Sequence, residues 1–306
     1  MHALEVRHLK KSFGKVKAVD DASFNVPEGA VFGLIGRNGA GKTTTIRMMM
    51  DIYIPDSGEV ILRGAPVTED FKQKVGYLPE ERGLYKKMNV WDTLMFFAEI
   101  KGKSGKDIER KANDYLKRFQ LIDRKASKIQ DLSKGNQQKI QFIATILHDP
   151  EFLILDEPFS GLDPINTDLL RQIIIDLKDR GKVIILSTHL MDFAEKMCDH
   201  IAMIDNGNII LNGSLRDIKA KFGNRNVSLN YDGDISFLEN HQIVEKIQDF
   251  GNTTGITVRE ESQTQDLLKL LIEKGVTIRK FNANDISLHE VFVRLAGDHN
   301  AEVINV

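Results

Sequence analysis

Seven residues, Ala30-Val-Phe-Gly-Leu-Ile-Gly36, are apolar throughout, end in glycine and lead into Arg37-Asn-Gly-Ala-Gly-Lys42-Thr43. An uninterrupted apolar run of this length reads as a strand buried on both faces, and the following Thr-Thr-Thr-Ile-Arg-Met-Met-Met-Asp-Ile, residues 43–52, reads as a helix. Buried strand, glycine-rich turn and helix together leave few folds open. The strand must lie inside a sheet covered on both sides, and the N–H groups of the turn must converge on the N-terminus of the helix.

Residues 36–43 match the pattern G-x-x-x-x-G-K-[ST] in the strand-to-helix setting that its chemistry requires. Gly36, Asn38, Gly39, Ala40, Gly41 and Thr44 are expected to supply a curled backbone whose N–H groups hold phosphate oxygens. Lys42 is expected to neutralise the β- and γ-phosphates, and the Thr43 hydroxyl to ligate Mg²⁺.

Phe152-Leu-Ile-Leu-Asp156-Glu157-Pro158 is a second apolar run, and it delivers two acids at its end. Unpaired buried carboxylates cost several kcal/mol or neutralise themselves by a pKa shift, so this is a poor ending for a core strand alone. A bound Mg²⁺ resolves the difficulty. Asp156 can hold the metal, and Glu157 is placed to orient or deprotonate an attacking water. With the phosphate loop present, the chemistry points to a nucleoside triphosphatase.

The rest of the chain frames these motifs. Up to about residue 30 apolar and polar residues alternate, with turns at Phe-Gly-Lys and Pro-Glu-Gly, which predicts short antiparallel strands. From Asn89 to about Thr145 the pattern is helical, with Trp91, Leu94, Phe97 and Ala98 on one stripe and Tyr115, Leu116 and Phe119 on another. Buried strands return at Phe152 and Lys182, separated by the helical Asp168–Arg180 stretch, which is the order of a parallel α/β core. Near residue 220 the polar Lys-Phe-Gly-Asn-Arg-Asn breaks the pattern. Beyond it NVSLNY, GITVREE and GVTIRKF predict strands, and TQDLLKLLIEK and SLHEVFVRLAG predict helices, so a small α+β domain is expected over 225–306, after a first domain over 1–220. Within the second, Leu288, Val291, Phe292 and Leu295 form a packing stripe.

Composition limits the partners. The 42 Lys and Arg against 44 Asp and Glu leave a formal charge of −2, so no global field favours a nucleic acid. The N-terminus lacks the apolar stretch of a signal peptide, and no uncharged run approaches the roughly 20 residues of a membrane-spanning helix. A membrane role would therefore need another chain to cross the bilayer. The single cysteine, Cys198, reads as a small buried hydrophobe, and a reducing cytosol fits.

Three further segments narrow the reading: Leu132-Ser-Lys-Gly-Asn-Gln-Gln138, Ser160-Gly-Leu-Asp163 and Ser187-Thr-His189. With them, residues 3 to about 220 resemble the ATP-binding cassette family, the ATPases that drive ABC transporters. The resemblance implies a P-loop NTPase fold: a RecA-like parallel core, an antiparallel β-subdomain and a helical subdomain at about 89–145. It implies ATP and Mg²⁺ as ligands and two ATPase subunits, in the simplest assembly a homodimer, closing head to tail around two ATP molecules. In that assembly Ser133 and the backbone of Gly135 would bond the γ-phosphate held by the partner, His189 would contact the γ-phosphate in its own site, and Asp163 would couple the two sites. Phe13 stands at the place of the adenine-stacking aromatic. Lys134 and Asn136 depart from the family's LSGGQ signature, and Lys134 either faces the polyphosphate or points to solvent.

The segments GYLPEERGLY and LSKGNQQK, with the C-terminal domain, are similar to bacterial exporters of the sodium-extruding and drug-resistance type. This implies a separately encoded membrane permease, a location on the cytoplasmic face of the membrane through that permease, solubility of the isolated subunit and outward transport. The stretch Val75-Gly-Tyr-Leu-Pro-Glu-Glu-Arg-Gly-Leu-Tyr85 is poor helix or core-strand material and reads as a loop. Related ATPases carry a metal-touching glutamine where Glu80 stands here. Glu80 is expected to touch Mg²⁺, with a turn toward Arg82 in solvent as the alternative. Two other classes compete: a soluble cassette acting on ribosomes or DNA, disfavoured by the single cassette and near-zero net charge, and a cassette that binds ATP without turnover, disfavoured by the presence of Glu157 and His189.

Overall fold

The computed structural model describes residues 2–81, 83–223, 225–251, 253–283, 286–297 and 304–305. The chain divides into two compact units, Met1–Ile210 and Leu211–Val306.

The first unit opens with β1 (His2–Phe13) and β2 (Val16–Pro27), an antiparallel hairpin of two strands much longer than the alternation suggested. Then follow β3 (Val31–Ile35), α1 (Lys42–Met49), β4 (Ser57–Leu62), β5 (Ala65–Pro66), α2 (Glu69–Lys74) and β6 (Val75–Leu78). A helical stretch holds α3 (Val90–Ile100), α4 (Lys106–Arg118) and α5 (Lys134–Ile146). The unit continues with β7 (Phe152–Asp156), α6 (Pro164–Asp179), β8 (Val183–Thr188), α7 (Met191–Met197), β9 (His200–Asp205) and the start of β10 (Asn208–Ser214).

Strands β9, β3, β8, β7 and β6 run parallel side by side; on the other side of β9 the sheet passes through β10 to β2, β1, β4 and β5, and these last four are paired antiparallel. The parallel strands β3, β7 and β8 are buried at every position, as uninterrupted apolar runs require. Fully burying one such side chain contributes about 1.5–3 kcal/mol, so this layer is the stable platform for everything at its edge. Cys198 packs into it. A Cβ on Gly33 of β3 would approach its Sγ to 2.7 Å, and burial raises the thiol pKa well above its ordinary value. The cysteine is an inert packing residue here.

One expectation is corrected. Val75–Leu78, read above as part of a loop, is the core strand β6, paired in parallel with β7 from Val75↔Phe152 to Leu78↔Leu155. Glycine misled the reading: a Cβ at Gly76 would collide with the backbone carbonyl of Thr145 on α5, so the strand needs glycine where strands usually avoid it. The loop proper begins at Pro79.

In the second unit α8 (Leu215–Gly223) precedes β11 (Asn226–Asp232), β12 (Val244–Asp249), β13 (Thr254–Val258), α9 (Thr264–Glu273), β14 (Thr277–Ala283) and α10 (Leu288–Gly297). Its antiparallel sheet has the order β12-β13-β11-β14. Val227, Leu229, Ile256 and Val258 pack with Leu267 and Leu271 of α9 in its core, and the stripe Leu288, Val291, Phe292 and Leu295 on α10 is buried. Strand β12 was not expected. Val-Glu-Lys-Ile-Gln-Asp has three charges, which an edge strand tolerates because only one of its sides is paired.

Gly76→Ala is expected to lower the stability of the first unit by about 1–3 kcal/mol, because α5 must give way to the new methyl group. Urea unfolding followed by circular dichroism measures this, and an unchanged midpoint would show the approach of α5 to be slack.

Candidate nucleotide site

The parallel strands deliver their functional residues at one edge, where their C-terminal ends lie. The register sets Ile35 beside Thr188 and Asp156 beside Ser187, so Gly36, Asp156, Glu157 and His189 leave the sheet together. A cavity of about 290 Å³ opens there, lined by Ala18, Asn38, Gly39, Gly41, Lys42, Thr43, Thr44, Glu80 and Glu157.

The backbone of the loop has to be tight. Gly41 has φ 111° and precedes α1 directly, and a Cβ there would come within 2.5 Å of the Ala18 carbonyl oxygen. Gly39, with φ 80°, is equally suited only to glycine. Ala40 and Gly36 are buried beneath the turn, while Asn38 and Gly39 are exposed at its rim.

Lys42 is buried to 5% exposure, and its ammonium donates to the carbonyls of Gly36 at 2.8 Å and Arg37 at 3.2 Å. Its Nζ also lies 3.4 Å from Glu157 Oε1, a carboxylate that is itself 6% exposed. The same Oε1 accepts from His189 Nδ1 at 3.0 Å, since a carboxylate can only accept and the ring nitrogen must carry the proton. Lys42, Glu157 and His189 thus form one chain of contacts.

Ser187 is the residue that sequence reasoning passed over. Its fully buried hydroxyl donates to Asp156 Oδ1 and accepts from the Glu157 N–H at 3.1 Å, so one side chain fixes both acids. The signal was present in Ser187-Thr-His189, but a serine in a strand carries no chemistry by itself. Glu157 adopts φ 48°, a left-handed conformation that costs a non-glycine residue energy and is retained where the surroundings impose it.

Asp156 Oδ2 is buried and has no hydrogen-bond partner among the described residues. An orphaned carboxylate oxygen beside a glycine-rich loop, with the Thr43 hydroxyl lining the adjoining cavity, is the donor set a hard divalent cation takes, so these residues fit Mg²⁺. Glu80 is exposed and lines the same cavity. Arg82, its alternative partner, lies outside the described residues.

Phe13 is 46% exposed at the end of β1 and meets the ring of Tyr53 edge-on at 5.5 Å, so it is a surface platform and not a core residue. Ser133 and Gly135 are placed elsewhere and are not among the residues lining the cavity. Ser133 caps α5, its Oγ accepting from Asn136 N at 3.3 Å, and Gly135 faces Gly161 O with room to spare. Asp163 caps α6 by accepting from Asn166 N at 2.9 Å, and these bonds hold its carboxyl below the usual range.

A phosphate-gripping loop, a buried lysine and a carboxylate pair at the ends of parallel strands define a nucleoside triphosphatase. Residues 19–160 match the family described as ABC transporter, and residues 213–296 match the C-terminal domain of DrrA1-3-like ATP-binding proteins. An uncharacterized ABC transporter ATP-binding protein, YhaQ of Bacillus subtilis (strain 168), is 42% identical over 96% of this chain and 98% of its own. The Nod factor export ATP-binding protein I of Cupriavidus pinatubonensis is 33% identical over 96% and 90%. A solved ATP-binding subunit of an ABC transporter is 33% identical and superposes with a TM-score of 0.68 over 72% of this chain and 93% of its own. The chain belongs to the ATP-binding subunits of ABC transporters, with the P-loop NTPase fold and ATPase activity of that family.

Ser187→Ala would leave Asp156 Oδ1 and the Glu157 N–H without this partner. A stability loss of about 1–3 kcal/mol in the ligand-free protein is expected. Thermal unfolding decides it, and a wild-type melting temperature would mean that solvent replaces the hydroxyl.

Proposed function

We propose that this chain is the motor subunit of a bacterial ABC exporter, in which two copies close around two ATP molecules and drive a separately encoded permease. The observation that carries the proposal is a separation within one chain. Lys42 and Glu157 line the cavity, His189 bonds Glu157 and Asp156 directly precedes it at the end of β7, while Ser133 and Gly135 sit at the N-terminus of α5 and do not line the cavity. A helix N-terminus with an exposed serine suits an anion, and the Ser133 lone pair is engaged by Asn136 N, which leaves its proton to donate. The phosphate it meets is then the one held by a second copy.

Within the site each residue has one task. Lys42 carries a positive charge onto the phosphates with the N–H groups of Gly36, Asn38, Gly39, Ala40, Gly41 and Thr44. Glu157 accepts a proton from the attacking water, and His189 holds that carboxylate through Nδ1 while reaching the γ-phosphate side. Thr43, Asp156 and Glu80 would hold Mg²⁺, which when bound neutralises charge building on the phosphate oxygens. Phe13 offers a ring face to the purine.

Residues 1–220 would form the nucleotide-binding domain, with its helical subdomain at about 89–145, and 225–306 an accessory domain. No helix among the described residues is long and apolar enough to cross a membrane, which supports a partner that does. On the helical stretch Tyr85, Phe96 and Phe97 cluster with ring centroids 5.4–6.4 Å apart, beside Ile100 at 55% exposure. Such an apolar patch suits docking at the cytoplasmic face of the membrane. The relative named for Nod factor export supports the outward direction.

Glu157→Gln is expected to keep ATP affinity, lower turnover by at least about 100-fold and accumulate an ATP-bound dimer, whereas Lys42→Ala should weaken ATP binding itself. Size-exclusion chromatography with ATP and a phosphate-release assay measure both. Wild-type hydrolysis by the glutamine variant would remove Glu157 from its role.

Glu80→Gln keeps an oxygen for the metal and drops the charge. The Mg²⁺ concentration for half-maximal ATPase is expected to rise several-fold at saturating ATP. An unchanged Mg²⁺ curve would place Glu80 away from the metal.

A further inference from the structure

Helix α5 carries an unusual face. Gln138, Gln141, Thr145 and, just past its C-terminus, His148 follow at spacings of three, four and three, which puts them on one side. All four are at least nine-tenths buried, with exposures of 8, 6, 7 and 5%. Polar side chains in such a place cost stability unless they are bonded, and apolar residues would pack there more cheaply.

Apart from a bond within the helix from Thr145 Oγ1 to Gln141 O at 2.9 Å, their bonds go to backbone carbonyls of two segments. Gln138 Nε2 donates to Pro158 O at 2.8 Å, the residue after Glu157. Gln141 Nε2 donates to Glu81 O at 3.4 Å, the residue after Glu80. Thr145 Oγ1 reaches Tyr77 O at 3.4 Å, and His148 Nε2 lies 3.2 Å from Val75 O at the start of β6. Val75 O also accepts from Lys101 Nζ at 3.1 Å. Burial, then the charge of Lys101, lowers the His148 pKa to about 4, with Lys103 acting the same way and Asp149 opposing. The ring is neutral at pH 7, and Nε2–H is the donor to the carbonyl.

We propose that α5 positions both acid-bearing loops of the ATPase site, with Gln138 as the positioning residue for the segment of Glu157 and Gln141 for the segment of Glu80. One helix then begins at Ser133, the end that faces a second copy, and its buried side holds the carboxylates of its own site. A displacement of α5 on closure is passed directly to Glu80 and Glu157, because the connecting bonds run from rigid helix to loop backbone. The structural part stands on the hydrogen bonds. The chemical consequence rests on the roles given to Glu80 and Glu157 above.

The test uses Gln138→Met and Gln141→Met in the full chain, each of similar length and without a donor; Gln138→Leu and Gln141→Leu replace either variant that does not fold. Hydrogen exchange of the nucleotide-free protein is the first readout. Gln138→Met should speed exchange at Glu157, Phe159 and Ser160 by at least fivefold and leave Glu80 and Glu81 within twofold. Gln141→Met should do the reverse, both with near-wild-type melting temperatures.

In the ATPase assay Gln138→Met should lower kcat by tenfold or more at unchanged ATP affinity, and Gln141→Met should raise the half-saturating Mg²⁺ concentration. Exchange unchanged in both variants overturns the proposal. Exchange that rises uniformly across the unit also does, since that is general loosening. If exchange follows the expected pattern while Gln141→Met and Glu80→Gln both leave the Mg²⁺ curve in place, the tether stands and the metal role of Glu80 fails.

Discussion

The contact between Lys42 and Glu157, two charged groups at 5% and 6% exposure and 3.4 Å apart, is the constraint around which the first unit is arranged. Removing either charge from water costs several kcal/mol, and their attraction repays this only when the remaining donors and acceptors are met. The structure meets them with Gly36 and Arg37 carbonyls on the lysine and with His189 on the carboxylate. Each of these stands at the C-terminal end of a parallel strand or just beyond it. The order of strands follows from the need: β3 brings the loop, β8 brings Ser187 and His189, and β7, paired with β8, brings both acids.

The pair also explains where strain is kept. Glu157 is held at φ 48° with its N–H tied to Ser187 Oγ at 3.1 Å and to the Ser187 carbonyl at 3.3 Å. Asp156 is fixed by the same hydroxyl and has one buried oxygen without a partner among the described residues. The arrangement thus combines saturated and unsaturated groups. A cation and a polyanion entering together would satisfy Asp156 Oδ2 and give Lys42 a stronger partner than Glu157.

How much of this was legible depended on whether a residue acts alone or through the fold. The meeting of Lys42, Glu157 and His189 was readable because short motifs set them at strand ends, and the parallel core because its strands are apolar without interruption. Ser187 was not, since its importance comes from lying opposite Asp156 in a register no local pattern encodes. Strand β6 was hidden by Gly76, which serves the passage of α5 and not a turn. Strand β12 was hidden by charges that an edge accepts. Glu80 remained open between two partners, and the structure sets it at the rim of the cavity.

The helical stretch is where local reading was least adequate, and for a general reason. A stripe of Gln, Gln, Thr and His looks like a solvated helix face, because those residue types usually are. On α5 it is buried together with Ile140, Phe142, Ile143 and Ile146, while Trp91 and Phe97, read as core, are only half-buried on α3. The inversion follows from what α5 is packed against. Along this stripe its neighbours are backbone carbonyls of β6 and of the segments after Glu80 and Glu157, which no apolar side chain can satisfy. A helix whose start is capped by an exposed serine and whose buried glutamines hold loop carbonyls is suited to transmit position between two surfaces, and it does so at a cost, since Gln138 Oε1 and His148 Nδ1 are buried without a hydrogen-bond partner among the described residues.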